Sequence, residues 1–236
     1  MGGGKIDCYL DIVSLFSYVA FKDLLPNISK LEANGVTVEF HPVFLGGINN
    51  ASGNKPPWVL PAKGKYLNYD SKRALNRVGL SDLVTPDLMK VGNTVVPLRA
   101  LHFVKANYSK EIFIATLGSM FVAFWGGGEY ANLSDEESLR RCLQCATDKP
   151  VGGKGTKLFT DADVKKILDG RAAMKTKLSE TTAKALELGA FGAPWFWATN
   201  SKGEGQPFFG SDRFNHIYRH LDIAFQDVTV LAPSKL

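Results

Sequence analysis

The chain has 236 residues, 45% of them apolar, with a net charge of +5 and a pI of about 9.0. That supplies one large core, or a core with a satellite domain. Basic and acidic residues alternate along most of the sequence, with no basic run and no basic–aromatic array, so a nucleic-acid partner is not expected and a small anionic ligand suits the mild positive excess.

Lys5 to Val13 alternates and is rich in apolar residues, which predicts a first strand. From Ser17 to Leu31 the apolar positions Phe21, Leu24, Leu25, Ile28 and Leu31 have helical spacing, with Pro26 expected to kink or split the helix. Asn34-Gly35 is a turn signal, and Val36 to Phe44 alternates as a second strand. Strand, helix and strand in this compass form a βαβ unit, so the strands should be parallel. Residues 48–66 read as a Pro/Gly/Asn-rich loop, and from about Asn68 to Leu188 the patterning is helical, broken at Pro86, Pro97, Gly126 to Gly128 and Val151 to Gly155. The uncharged stretch Ile112 to Gly128 is too short and Gly-rich for a membrane span and predicts a buried helix. Trp195 to Thr199 and Pro207 to Gly210 flank the turn NSKGEGQ as a β-hairpin. A last helix carries Phe214, Ile217, Tyr218, Leu221 and Phe225 on one face, with Ser211 or Asp212 placed to cap it. The order βαβ, helices, ββα predicts an α/β protein: a thioredoxin-like domain interrupted by an inserted all-α domain. The expected boundaries are 1–64 and 182–236 for the two parts of the first, and 65–181 for the insertion.

Chemistry is expected where the first strand becomes the first helix. There the chain reads DIVSLFS, with Ser14 and Ser17 three residues apart, at a junction where redox enzymes of this fold place C-x-x-C. Unpaired N–H groups and the helix dipole favour an anion at such a turn. A serine there brings no thiol, and no His or Asp stands in a recognisable triad with it, but its hydroxyl can donate to a thiolate carried by a ligand. The plain alternative, that Ser14 or Ser17 is only a helix N-cap, stands equally on these residues. In FGAPWFW, Pro194 precedes a strand opposite that turn; a cis Ala193–Pro194 bond, which the fold order favours, would turn the Ala193 backbone groups outward to pair with a peptide. Gly210 to Arg213 could hold an α-carboxylate through Ser211 and backbone N–H groups, with Asp212 attracting an α-amino group. Asn54, Lys55 and Lys63 lie on a proline-stiffened segment able to overhang the site.

The motifs SLFS, SGNKPP, the PxKGxY segment, FGxP and FGSDR, in this order, resemble the kappa-class glutathione transferases over nearly the whole chain. The resemblance implies glutathione as cosubstrate with no resident cofactor or metal, a homodimer, and mitochondrial or peroxisomal residence. It implies Ser14 as the residue that stabilises the thiolate. Glutathione contacts are implied at Leu15, Phe16, Asn54, Lys63, Ala193, Pro194, Ser211, Asp212 and Arg213. Leu15 departs from the proline common in that family, which leaves the turn geometry less secure than the identity of Ser14. The expected reaction is conjugation of glutathione to a small hydrophobic electrophile, with Trp58 and Phe16 placed to shape its pocket and peroxidase activity left open. The alternatives are a glutathione-dependent 2-hydroxychromene-2-carboxylate isomerase and a non-catalytic glutathione or peptide binder.

Cys142 and Cys145 form a C-x-x-C, but inside a helical segment that follows no strand, and Cys8 lies within the first strand as a core residue. Three cysteines argue against a disulfide framework. His216 and His220 have metal-ligand spacing without the accompanying Glu, and are expected at the surface. The amino terminus lacks the pattern of a secretory leader, and Ser234, Lys235 and Leu236 match the address read by the peroxisomal import receptor. Peroxisomal residence is therefore expected ahead of mitochondria or cytoplasm.

Overall fold

The computed structural model describes residues 3–128 and 130–226; the tripeptide Ser234, Lys235 and Leu236 lies outside them. Strand β1 (Gly4–Leu10) is followed by helix α1 (Leu15–Leu24), a 3₁₀ turn (Leu25–Asn27) and α2 (Ile28–Ala33). Pro26 does split the predicted helix: it has no N–H to continue the α ladder, and the chain tightens for one turn around it. Strand β2 (Val36–Pro42) then pairs parallel with β1, Gly4 opposite Val36 and Leu10 opposite Pro42. Strands β3 (Trp195–Asn200) and β4 (Gly205–Phe209) form the predicted hairpin. The sheet order is β2-β1-β3-β4, with β3 antiparallel to β1.

The segment from 48 to 66 is not a loop. It contains α3 (Leu45–Ser52), a 3₁₀ turn (Pro57–Val59) and the start of α4 (Pro61–Arg77). Gly53 ends α3 in the left-handed conformation at φ 73°, and Pro61 occupies the first position of α4, where a missing N–H costs nothing. Residues that read as loop punctuation are thus helix ends. The short α5 (Leu88–Val91) and helices α6 (Val95–Asn107), α7 (Lys110–Trp125), α8 (Glu136–Cys145), α9 (Asp161–Gly170) and α10 (Lys175–Glu187) complete the helical region. The uncharged stretch is α7, and no described helix is long and apolar enough to cross a membrane.

One core runs through sheet and helices. Ile6, Cys8 and Leu10 on one face of β1 pack with α1 and with Leu117, Met120, Phe121 and Phe124 of α7. Tyr18 stacks on Phe121 at 5.0 Å, and Phe21 meets the same ring at 5.5 Å. The other face, with Tyr9 and Trp195, packs on Ile48 of α3 and Ala185 of α10. The buried Trp125 donates its indole N–H to the Ile12 carbonyl at 2.8 Å, tying α7 to the turn after β1. Trp125→Phe keeps an aromatic ring but orphans that carbonyl and leaves a void where the pyrrole ring was; urea denaturation should show a loss of about 2 to 4 kcal/mol, and an unchanged midpoint would remove this tie from the account.

Candidate active site

The sheet register decides which segments meet. Tyr9 pairs with Trp195, so the residues just beyond β1 lie beside those just before β3. Trp195 pairs in turn with Phe209, which brings Gly210 and Ser211 to the same end. The Gly210 N–H donates to the Pro194 carbonyl at 3.2 Å, and Asn54 donates its side-chain amide to the Phe191 carbonyl at 2.6 Å. Ser14, Ala193, Pro194, Ser211 and Asn54 are thereby gathered at one end of the sheet. The Ala193–Pro194 bond is cis, as the fold order predicted.

Ser14 is the N-cap of α1, in extended conformation (φ −86°, ψ 113°), and its Oγ accepts the Ser17 N–H at 3.1 Å. The same Oγ lies 2.8 Å from the Ala193 carbonyl oxygen. A carbonyl has no proton to give, so the hydroxyl proton points along that line. Freeing it would leave the half-buried carbonyl without a partner, at about 1 to 3 kcal/mol unless another donor arrives. Leu15 and Phe16 form the first turn of α1 and are half-buried. Below them, the Ser17 hydroxyl is fully buried and has no hydrogen-bond partner among the described residues.

In the sequence Asp11 is a lone acid between apolar residues, yet it organises the turn. Its carboxylate is fully buried and accepts from the Leu45 N–H (2.7 Å), the Thr94 hydroxyl (2.8 Å) and the Val13 N–H (3.2 Å). Its backbone carbonyl receives the Ser14 N–H at 3.0 Å. Burial raises its pKa from 3.8 to about 6, against the pull of those donors. One acidic side chain thus joins the end of β1, the first residue of α3 and the residue capping α6.

Beside Ala193 an aromatic shelf is open to solvent: the Phe191 and Phe209 rings are 4.6 Å apart, and Phe191 meets Trp195 edge-on at 5.4 Å. At Gly192 a Cβ would come within 2.9 Å of the Phe209 ring and push it aside. Trp58 is also exposed.

The last helix, α11 (Phe214–His220), differs from expectation. Arg213 is its N-cap, with no side-chain capping bond, so neither Ser211 nor Asp212 caps it. Gly210, at φ 99°, turns the chain so that Ser211 is buried, and Asp212 pairs with the guanidinium of Arg213 in a turn before the helix. Arg77, at the end of α4, holds this turn: it grips both Asp23 carboxylate oxygens at 2.8 Å and donates to the Ser211 carbonyl at 3.4 Å. Lys63 sits in the first turn of α4 rather than on a loop, and Lys55 is exposed on the segment before it.

The other chemistry-bearing residues lie away from this turn or are already engaged. Cys8 is buried in β1, and burial pushes its thiol well above the ordinary range. Cys142 is buried in α8 with its pKa pushed up to about 12, while Cys145 is exposed. His216 is exposed; half-buried His220 places Nε2 3.2 Å from the Ala198 carbonyl and 3.0 Å from that of Glu204. Asp7, Glu39 and His41 cluster on β1 and β2, but the ammonium of Lys5 lies 2.7 Å from Asp7 and 2.8 Å from Glu39, with Lys105 2.9 Å from Glu39. Two cations already neutralise that group.

A four-stranded sheet entered by βαβ, left by ββα and bearing hydroxyls at the strand-to-helix turn defines a thioredoxin-type domain without a thiol of its own. The family model of the DSBA-like thioredoxin domain matches residues 5–222. Glutathione S-transferase kappa 1 of Caenorhabditis elegans is 32% identical over 219 residues, spanning 90% of this chain and 88% of the relative. Its namesake from Homo sapiens is 25% identical over 92% of this chain and 89% of its own length. In fold, the chain superposes on a 2-hydroxychromene-2-carboxylate isomerase with a TM-score of 0.66 at 23% identity, covering 92% of this chain and 94% of that one. The chain belongs to the DSBA-like thioredoxin-domain family, and within it to the kappa class of glutathione transferases.

Proposed function

We propose that this protein binds glutathione along the Ala193 segment, promotes ionisation of its sulfur at Ser14, and transfers that sulfur to small hydrophobic electrophiles. The observation that carries the reading is the Ser14 hydroxyl, fixed at the N-cap of α1 and within 2.8 Å of the Ala193 carbonyl. A sulfur docked against this segment meets a hydroxyl and the positive end of a ten-residue helix together. A free thiol with a pKa of about 8.5 is mostly protonated near neutral pH; lowering it by about two pH units takes about 2.7 kcal/mol. One charge-assisted hydrogen bond together with a helix terminus supplies that amount.

Asn54 and Lys63 would attend the glycyl end of glutathione, and Ser211 with Asp212 its γ-glutamyl end, on the turn that Arg77 steadies. Arg213 already engages Asp212, so the ligand's α-amino group would share that carboxylate with a guanidinium. The Phe191 and Phe209 rings, tilted 52° to each other, offer an exposed apolar surface for the electrophile. The protein's part is positioning and a favourable field, with no covalent intermediate. A homodimer is proposed with this reading, on the resemblance alone.

Ultraviolet titration of glutathione bound to the wild-type protein tests the core of this. The bound sulfur should ionise about two pH units below free glutathione. A bound sulfur titrating like the free tripeptide would leave only a glutathione-binding module.

A further inference from the structure

We propose that Ser14 is latched in the free protein, and that the amide N–H of the peptide carrying the sulfur releases it, so that the site activates peptide thiols and leaves simple thiols nearly unaffected. This rests on the proposed function and adds a requirement that lies outside the sulfur.

Ser14 has one proton, and it is committed to the Ala193 carbonyl. Its oxygen already accepts from Ser17, and what remains free on it is acceptor capacity. In this state the hydroxyl can receive an S–H proton, which favours the neutral thiol; it cannot donate to a thiolate. Thiolate stabilisation therefore demands rotation about the Cβ–Oγ bond and loss of the Ala193 contact. The charge on sulfur favours that exchange, but the carbonyl left behind needs a new donor. The donors adjoining it are missing or at least partly committed. Pro194 has no N–H, the Gly210 N–H is held by the Pro194 carbonyl, and Asn54 spends one of its two amide hydrogens on the Phe191 carbonyl. Ser14 is buried and Ala193 half-buried, so water is a less available donor here than at an open surface. An amide N–H attached to the carbon that bears the CH₂SH group arrives together with the sulfur. It can take the Ala193 carbonyl as the hydroxyl leaves, so the number of hydrogen bonds at that carbonyl is conserved. The exchange at Ser14 and Ala193 is of hydrogen bonds; the one covalent bond broken is S–H, whose proton passes to solvent while its electron pair stays on sulfur.

The test compares glutathione with the depsipeptide in which an ester oxygen replaces the cysteinyl N–H, each at a concentration shown to be saturating by tryptophan fluorescence. Both are titrated by thiolate absorbance on wild type and on Ser14→Ala. On wild type, bound glutathione should ionise about two pH units below its free value, a hundredfold in ionisation constant, and the depsipeptide by less than half that amount. On Ser14→Ala the two ligands should titrate alike. Equal lowering of both on wild type would overturn the latch while leaving the proposed function intact. No lowering of either would remove both. A difference between the ligands that persists in Ser14→Ala would also overturn the latch, since it would arise without the hydroxyl.

Discussion

Ser14→Ala should slow conjugation of glutathione to an electrophile by about ten- to a hundredfold near neutral pH, with much of the loss recovered as the pH is raised. The sign follows from what the hydroxyl does. It stabilises the anion and not the neutral thiol, so its loss raises the pKa of bound sulfur and leaves less thiolate at a given pH. Above the raised pKa the sulfur is ionised in both proteins, and the remaining difference is confined to positioning. The change should cost the fold about 1 to 3 kcal/mol, because the Ser17 N–H loses its acceptor and the Ala193 carbonyl loses its donor until a ligand supplies one. Stopped-flow conjugation across a pH series measures this. A uniform loss at every pH would mean that Ser14 positions the ligand without aiding ionisation, and identical rates would remove it from the mechanism.

The second large effect concerns stability. Asp11 is more basic in the fold than in the unfolded chain, with a pKa of about 6 against 3.8. The folded state therefore holds the proton more tightly, and the associated stability is present below about pH 4 and lost as the pH rises through about 6. The loss amounts to about 3 kcal/mol across that window. Asp11→Asn has no proton to exchange, so the wild type should decline relative to it by that amount between acidic and neutral pH. The absolute level of the variant is a separate matter. Its amide oxygen can still serve the Thr94 hydroxyl and Val13 N–H, but its NH₂ group opposes the Leu45 N–H. Denaturant unfolding of both proteins over the pH series measures the difference, and carboxyl-carbon NMR of Asp11 gives the titration directly. Parallel stability curves would show that the carboxyl titrates as it does in the unfolded chain.

How much of this was legible in the sequence depended on how local each feature was. The strands, the split at Pro26 and the serine turn follow from alternation, from a missing N–H and from two hydroxyls at a strand-to-helix junction. Helix α3 was hidden because Gly46, Gly47, Asn49 and Asn50 are poor helix formers; packing of Ile48 on the sheet outweighs their propensity. The start of α4 is hidden because Pro61 reads as a loop signal, although proline is a favoured first residue of a helix. At the last helix the capping pattern in GSDR was present, but Gly210 diverts the chain before it can act. The long-range contacts had no local signature. Ser14 and Ala193 are 179 residues apart, and Asp11 and Thr94 are 83 apart. Only an acid at the end of an apolar strand could have hinted that Asp11 was partnered. For the same reason the position of Ser14 was readable and the direction of its proton was not.

The tie from Trp125 to Ile12, with Tyr18 and Phe21 against Phe121, bears on cooperativity. The Ser14 turn has no separate core; its packing is shared with helices far along the chain. Excising those helices would not liberate a small oxidoreductase-like unit, because the apolar side of α1 would face water. Opening of the turn is thereby coupled to loss of the packing that sheet and helices share.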